Sequence, residues 1–193
     1  MNPMSRRLFG TAALAAFAAP AARADTLVEP SLRLPSRAEG PPTVALTLDA
    51  CPGGFDERIA RVLVQQRIRT TIFVTAAWIN RNPAGLALFL DHRDLFRLEN
   101  HGARHIPAVL GNTTVYGLPA AGTLDAIRQE IDGGASAIRT ASGMAPVWYR
   151  DATARYSQAA IEMIEGMGLR VGGYSLNADQ GASLPAAAVA DRE

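Results

Sequence analysis

The chain has 193 residues, of which 48% are hydrophobic and 19% charged, and its formal net charge is +1. That balance suits a single globular domain and excludes a disordered chain. With no basic stripe it also excludes a nucleic-acid binder, so neutral or weakly charged partners are expected. A lone cysteine, Cys51, leaves no intrachain disulfide to staple the fold.

In chain order, Ser5-Arg6-Arg7-Leu8-Phe9-Gly10 is a twin-arginine pattern, followed by an apolar stretch and the small-residue site Ala22-Arg23-Ala24. Residues 1–24 therefore read as a signal peptide, cleaved after Ala24. The apolar stretch is shorter than the roughly 20 residues that cross a bilayer. A periplasmic or secreted protein, with no membrane attachment after cleavage, is expected. Residues 25–42 carry Pro30, Pro35, Pro41 and Pro42, which resist a regular element, so a linker or N-terminal wrap is expected there.

Residues 43–54 are the stretch around which the rest is arranged. Val44, Leu46 and Leu48 point one way and Ala45 and Thr47 the other, the pattern of a parallel strand covered on both faces. Asp49 falls at its carboxyl end, and Pro52-Gly53-Gly54 turns the chain away. In α/β folds that edge carries the chemistry, although a lone aspartate there serves equally well as a turn cap. Cys51 reads first as a small buried residue, with a metal ligand or a reactive thiol as alternatives.

A helix capped by Asp56 follows, with Ile59, Val62 and Leu63 on its inner face. The β-branched run 70–75 is the second strand. Asn82-Pro83 opens another helix, with Leu86, Phe89 and Leu90 inward and His92 on the helix side. After the segment 95–100 comes His101-Gly102-Ala103-Arg104-His105, two of the three histidines of the chain. Gly102 argues against a helix through them, so the pair is placed on a loop. Two imidazoles and a carboxylate at strand ends suit a divalent metal.

Residues 110–122 read as a loop bordering a cleft. A long helix follows, with Leu124, Ile127, Ile131, Ala135 and Ile138 at helical spacing and Gly143 as its stop; Gly133-Gly134 inside it costs about 1 kcal/mol per glycine. Residues 146–150 form a short strand ending at Arg150, residues 157–166 a helix, and residues 169–176 a strand leading to Asn177-Ala178-Asp179. Strand and helix alternate throughout, which predicts a parallel α/β sheet.

Thr47-Leu48-Asp49-Ala50-Cys51 and Asn100-His101-Gly102-Ala103-Arg104-His105 resemble the first two motifs of the polysaccharide deacetylases with a NodB-type homology domain, Thr-Phe-Asp-Asp-Gly and His-(Ser/Thr)-x-x-His. The likeness runs from about residue 43 to the end. It implies a distorted, incomplete (β/α) barrel for residues 43–193 and a metal-dependent hydrolase that removes N-acetyl groups from a peptidoglycan- or chitin-like glycan. The metal implied is zinc, with cobalt or nickel as alternatives.

In that family the first aspartate is the base, the second aspartate and both histidines hold the metal, a later arginine orients the base and a C-terminal histidine is the acid. Here Asp49 matches the base, His101 and His105 the ligands, and Arg150 the arginine, with Asp151 beside it as a substitute base. Ala50 stands where the second aspartate would be. Either Asp49 turns to the metal, or Cys51 replaces the carboxylate, or metal affinity falls; the first is the reading adopted, which makes Asp49 a ligand first and a base second.

Asn177 and Asp179 stand where the resemblance implies a pocket wall, and Trp148 and Tyr149 are aromatics able to stack on a sugar face, although aromatics in such strands more often pack in the core. The C-terminal Leu-x-His motif is not found, which suggests a domain incomplete at its C-terminus. The rivals are a non-catalytic glycan-binding protein on the same fold and a hydrolase of another non-peptide C–N bond.

Overall fold

The computed structural model describes residues 26–35, 39–41, 43–178, 180 and 183–191. The proposed signal peptide and Asp179 lie outside the described residues.

Five strands, β1 (Leu46–Ala50), β2 (Thr70–Val74), β3 (Phe96–Asn100), β6 (Trp148–Tyr149) and β7 (Arg170–Val171), form one parallel sheet in the order β1-β2-β3-β6-β7. Neighbours in space are thus successive sheet strands along the chain, as in the wall of a (β/α) barrel. The sheet does not close among the described residues. Helices α1 (Glu57–Gln65), α2 (Ala76–Arg81), α3 (Pro83–Asp91), α4 (Leu124–Ser142) and α5 (Gln158–Gly166) lie in the connections, and α6 (Ala186–Ala190) follows β7. Residues 110–122, expected to be irregular, contain a small antiparallel hairpin, β4 (Thr114–Val115) with β5 (Leu118–Pro119). No helix among the described residues is long and apolar enough to cross a membrane.

The local signals explain most element boundaries. Asp56 caps α1 by accepting the Arg58 N–H at 2.9 Å, and Thr123 caps α4 through the Ala126 N–H. Pro83 occupies the first position of α3, where its missing N–H costs nothing, and Gly143 ends α4 in the left-handed conformation. Thr75, expected inside the second strand, instead caps α2 by accepting the Trp78 N–H.

Three expectations are corrected. β1 is an edge strand, so the stretch read as covered on both faces leaves Val44 86% exposed, whereas the interior strand β2 buries four of its five residues. Ile59 and Val62 of α1 face solvent, and Ala60 and Leu63 turn inward. The last strand pairs only over Arg170–Val171, since Gly172 and Gly173 then give their carbonyls to the Arg150 side chain instead of a ladder.

Apolar burial divides into two clusters. One joins Ile72, Val74 and Phe96 to Ala60, Leu63, Trp78 and Phe89 beneath α1–α3, and the other joins Tyr149 and Tyr156 to Ile127, Ile131 and Ile164 between α4 and α5. Helix α4 meets both, with Ile138 in the first.

Gly134 in α4, a helix-weakening residue by propensity, lies against the histidine loop. A Cβ there would collide with Asn100 Oδ1 and come within 2.7 Å of the Gly102 carbonyl carbon. Gly134→Ala is therefore expected to lower stability by about 1–3 kcal/mol despite its better helix propensity, read as a lower denaturant midpoint.

Candidate metal centre

All groups of the site meet at the carboxyl ends of the sheet strands, where a parallel sheet places its chemistry. Side chains alternate along β1. Thr47 and Asp49 both reach the Arg150 guanidinium, while Leu48 and Ala50 pack on the apolar cluster under α1–α3.

Arg150, which follows β6, is 3% exposed and fully engaged. It donates to Asp49 Oδ1 at 2.7 Å, to Thr47 Oγ1 at 3.0 Å and to the carbonyls of Gly172 and Gly173 at 2.8 and 3.2 Å. Its guanidinium carbon lies 4.1 Å from the Phe73 ring centroid. A buried guanidinium held by acceptors from β1 and from the segment after β7 is a fixed device for orienting one carboxylate. Asp49, with its side chain 35% exposed, keeps access to solvent.

The histidine loop leaves β3 and is clamped from both sides. The N–H groups of Ala76 and Ala77, at the start of α2, donate to the carbonyls of Gly102 and Ala103 at 3.0 Å each. From the other side Glu130 of α4, 1% exposed, accepts the backbone N–H groups of Arg104, His105 and Ile106 at 2.6, 2.8 and 3.3 Å. Asn100 accepts the Gly102 N–H and donates to the Ile131 carbonyl. These bonds hold Gly102 at φ +89° and His105 at φ +73°, and the latter conformation is uncommon for a residue with a side chain.

His101 is buried, and its Nδ1 lies 2.8 Å from the Arg150 carbonyl. A carbonyl only accepts, so Nδ1 carries the proton and the Nε2 lone pair faces Cys51 Sγ, 3.6 Å away. The two imidazole rings stand 4.9 Å apart. His105 Nε2 is buried without a hydrogen-bond partner, an orphan that a metal would satisfy. Burial lowers the pKa of His101, and burial with the neighbouring His101 lowers that of His105 to about 4, so both rings stay neutral near pH 7.

The ligand atoms of Cys51, His101 and His105 lie within 4.8 Å of one another and form the metal-competent group among the described residues. Two neutral imidazoles, the Nε2 of one facing a thiol and the Nε2 of the other buried without a partner, fit a divalent metal.

The other expected site residues scatter. Tyr149 is fully buried in the cluster between α4 and α5, so it packs there and does not reach a sugar. Trp148 is half-buried, with the Arg170 guanidinium 5.4 Å from its ring. Asn177 Nδ2 donates to the Tyr174 hydroxyl at 3.4 Å, and Tyr174 lies over the Arg150 guanidinium at 5.6 Å.

Asp151, read as a substitute base, is 1% exposed and staples two loops by accepting the N–H groups of Ala108 and Thr153. Burial pushes its carboxyl pKa up to about 7, against the pull of those donors. Because the folded state holds this proton more tightly than the unfolded chain, the associated stability is present at low pH and lost as pH rises from about 4 through about 7. The stability of Asp151→Asn relative to the native chain should therefore shift in the variant's favour as pH rises from about 4 through about 7 in metal-free urea titrations. That shift comes on top of a pH-independent loss, because one amide oxygen accepts only one of the N–H groups of Ala108 and Thr153.

Glu130 and Thr47 escaped the sequence reading. Glu130 shares the inward face of α4 with Ile127, Ile131 and Gly134, and a charged residue on an apolar face was the available signal.

A cavity of about 260 Å³ adjoins the site, lined by Arg104, His105 and Ile106 of the histidine loop and by Leu118 and Pro119 of the hairpin. A larger one, about 370 Å³, lies at the amino ends of β1–β3 around Arg69 and Arg97, far from this chemistry in the sheet.

Among solved structures, the fold is similar to the Bc1960 peptidoglycan N-acetylglucosamine deacetylase, with TM-score 0.60 and 16% identity over 75% of this chain and 62% of that one. It is also similar to a family 4 carbohydrate esterase from Streptomyces lividans in complex with acetate, with TM-score 0.57 and 20% identity over 76% and 69% of the two chains. A third similar structure is BA3943, a CE4 family pseudoenzyme from Bacillus anthracis, with TM-score 0.54 and 13% identity over 78% of this chain. The match spans only 50% of the length of that pseudoenzyme. No curated protein sequence matches the chain. The family model described as polysaccharide deacetylase matches residues 36–172, most of the chain, and the chain belongs to that family.

Proposed function

We propose that the chain is an exported, metal-dependent hydrolase that removes N-acetyl groups from a glycan of the peptidoglycan or chitin type. The observation that carries this reading is the meeting, at one sheet rim, of a carboxylate fixed by a buried arginine with two neutral imidazoles that each keep a lone pair for a metal. Zinc is the metal proposed, with cobalt and nickel as alternatives; when bound it polarises the acetamide carbonyl and lowers the pKa of its water to about 7.

The chain's own residues supply the rest. His101 and His105 hold the metal, His101 with its tautomer set by the Arg150 carbonyl. Asp49, read from the sequence as a ligand first and a base second, is given the base's part here, because Arg150 holds its Oδ1 and the grouped donors are Cys51, His101 and His105. Partly exposed, it takes the proton of the attacking water while Arg150 keeps that carboxylate aimed. The cavity between the histidine loop and the hairpin offers room for the acetylated sugar. Asn177 and Tyr174 stand beyond Arg150 as candidate hydroxyl contacts.

The reading is tested by incubating the zinc-supplied protein with N-acetylglucosamine oligomers and with peptidoglycan, and measuring acetate and free amine. Release of both, lost together with bound zinc in His101→Ala and His105→Ala, is the expected result. Ala50, where the family carries an acid, favours a second reading: a glycan-binding protein without catalysis, as one structural neighbour is a pseudoenzyme. Oligomer binding with no acetate release at any metal supply would favour that reading.

A further inference from the structure

We infer that Cys51 supplies the anionic third donor of the metal centre, as a thiolate, so that the charge missing at Ala50 reappears one residue further on. The inference rests on the reading that the site takes a divalent metal, and not on which bond the protein cleaves.

The geometry of β1 carries the first half. Ala50 packs against the apolar cluster under α1–α3, and its methyl group offers no donor atom to a metal beside the imidazoles. Asp49 shares the site's face, but its Oδ1 is taken by Arg150 at 2.7 Å. Cys51 is next on that face. The tight turn in which the Gly53 N–H donates to the Cys51 carbonyl at 2.6 Å bends the chain there, and Sγ reaches His101 Nε2.

The distances carry the second half. With a Zn–S bond of about 2.3 Å and a Zn–N bond of about 2.0–2.1 Å, sulfur and nitrogen on one tetrahedral ion stand roughly 3.5 Å apart. Sγ and Nε2 stand 3.6 Å apart here. His105 brings a third ligand atom within 4.8 Å of both, and its Nε2 is buried with no partner.

The charge also balances. One thiolate and two neutral imidazoles carry the same −1 as one carboxylate and two imidazoles, and binding the metal releases the thiol proton to solvent. The donor set is softer, however. It favours zinc and cobalt over magnesium and manganese, and it leaves Asp49 to act on water alone.

Cobalt provides the test, because a thiolate bound to Co(II) gives an intense near-ultraviolet charge-transfer band that carboxylate and imidazole ligands do not. The native chain, loaded with Co(II) under reducing conditions, is expected to bind it stoichiometrically and to show that band. Cys51→Ser should lose the band and at least about 100-fold in affinity, Cys51→Asp should recover affinity without the band, and Asp49→Asn should keep both. A native cobalt form without the band overturns the inference, and this outcome depends on no variant folding correctly. So does a Cys51→Ser protein that holds the metal as tightly as the native chain. A thiolate band with no acetate release would uphold the ligand assignment while refuting the deacetylase reading.

Discussion

Asp49→Asn is expected to lower acetate release by about 10²- to 10⁴-fold, the range for removal of a positioned general base, with the bound metal and the fold retained. The substitution keeps the shape of the side chain and an oxygen within reach of Arg150, so the buried guanidinium is still hydrogen-bonded. What disappears is the capacity to accept a proton from water. The ratio between native and variant rates should be found in kcat, with bound zinc unchanged by metal analysis. If the Asp49→Asn protein loses its zinc instead, the carboxylate is a ligand, and the roles of Asp49 and Cys51 are exchanged.

Glu130→Ala is the second large effect, and it acts at a distance from the metal. Three consecutive backbone N–H groups of the histidine loop converge on one buried carboxylate, and hydrogen bonds to a charged group contribute about 1.5–3 kcal/mol each. Partial access to water offsets some of the loss, so a destabilisation of about 3–5 kcal/mol is expected. For a domain of this length that lowers the melting temperature by on the order of 10 °C. Arg104, 64% exposed, adds little through its contact with Glu130. A structural role alone would leave the folded fraction binding metal normally. Because Glu130 holds His105 in its positive-φ conformation, metal affinity measured below the melting transition should also fall, with partial recovery in Glu130→Gln. Unchanged affinity in folded Glu130→Ala protein would reduce Glu130 to a packing residue.

The alternation of strands and helices was legible because each element carries a local signature. Asp56 and Gly143 mark helix ends through bonds to their own neighbours, and the β-branched run around Ile72 marks a strand. The position of the histidines on a loop was legible too, since Gly102 opposes a helix there and takes φ +89° in the fold. The burial of β1 was not, because an edge strand and an interior strand share one apolar pattern and differ only in what lies beside them.

What the sequence determined by itself was the class of fold and the candidate donors, Asp49, His101, His105 and Arg150, through motifs readable within a few residues. Only the tertiary structure decided how they are placed relative to one another. It turned Ala50 into the core and Cys51 toward His101, tied Asp49 to Arg150 from a position 101 residues away, and set Glu130 beneath the histidine loop. The reason is that side-chain direction at a strand end, and the pairing of groups distant along the chain, depend on where neighbouring strands and helices pack. No local run of residues records that.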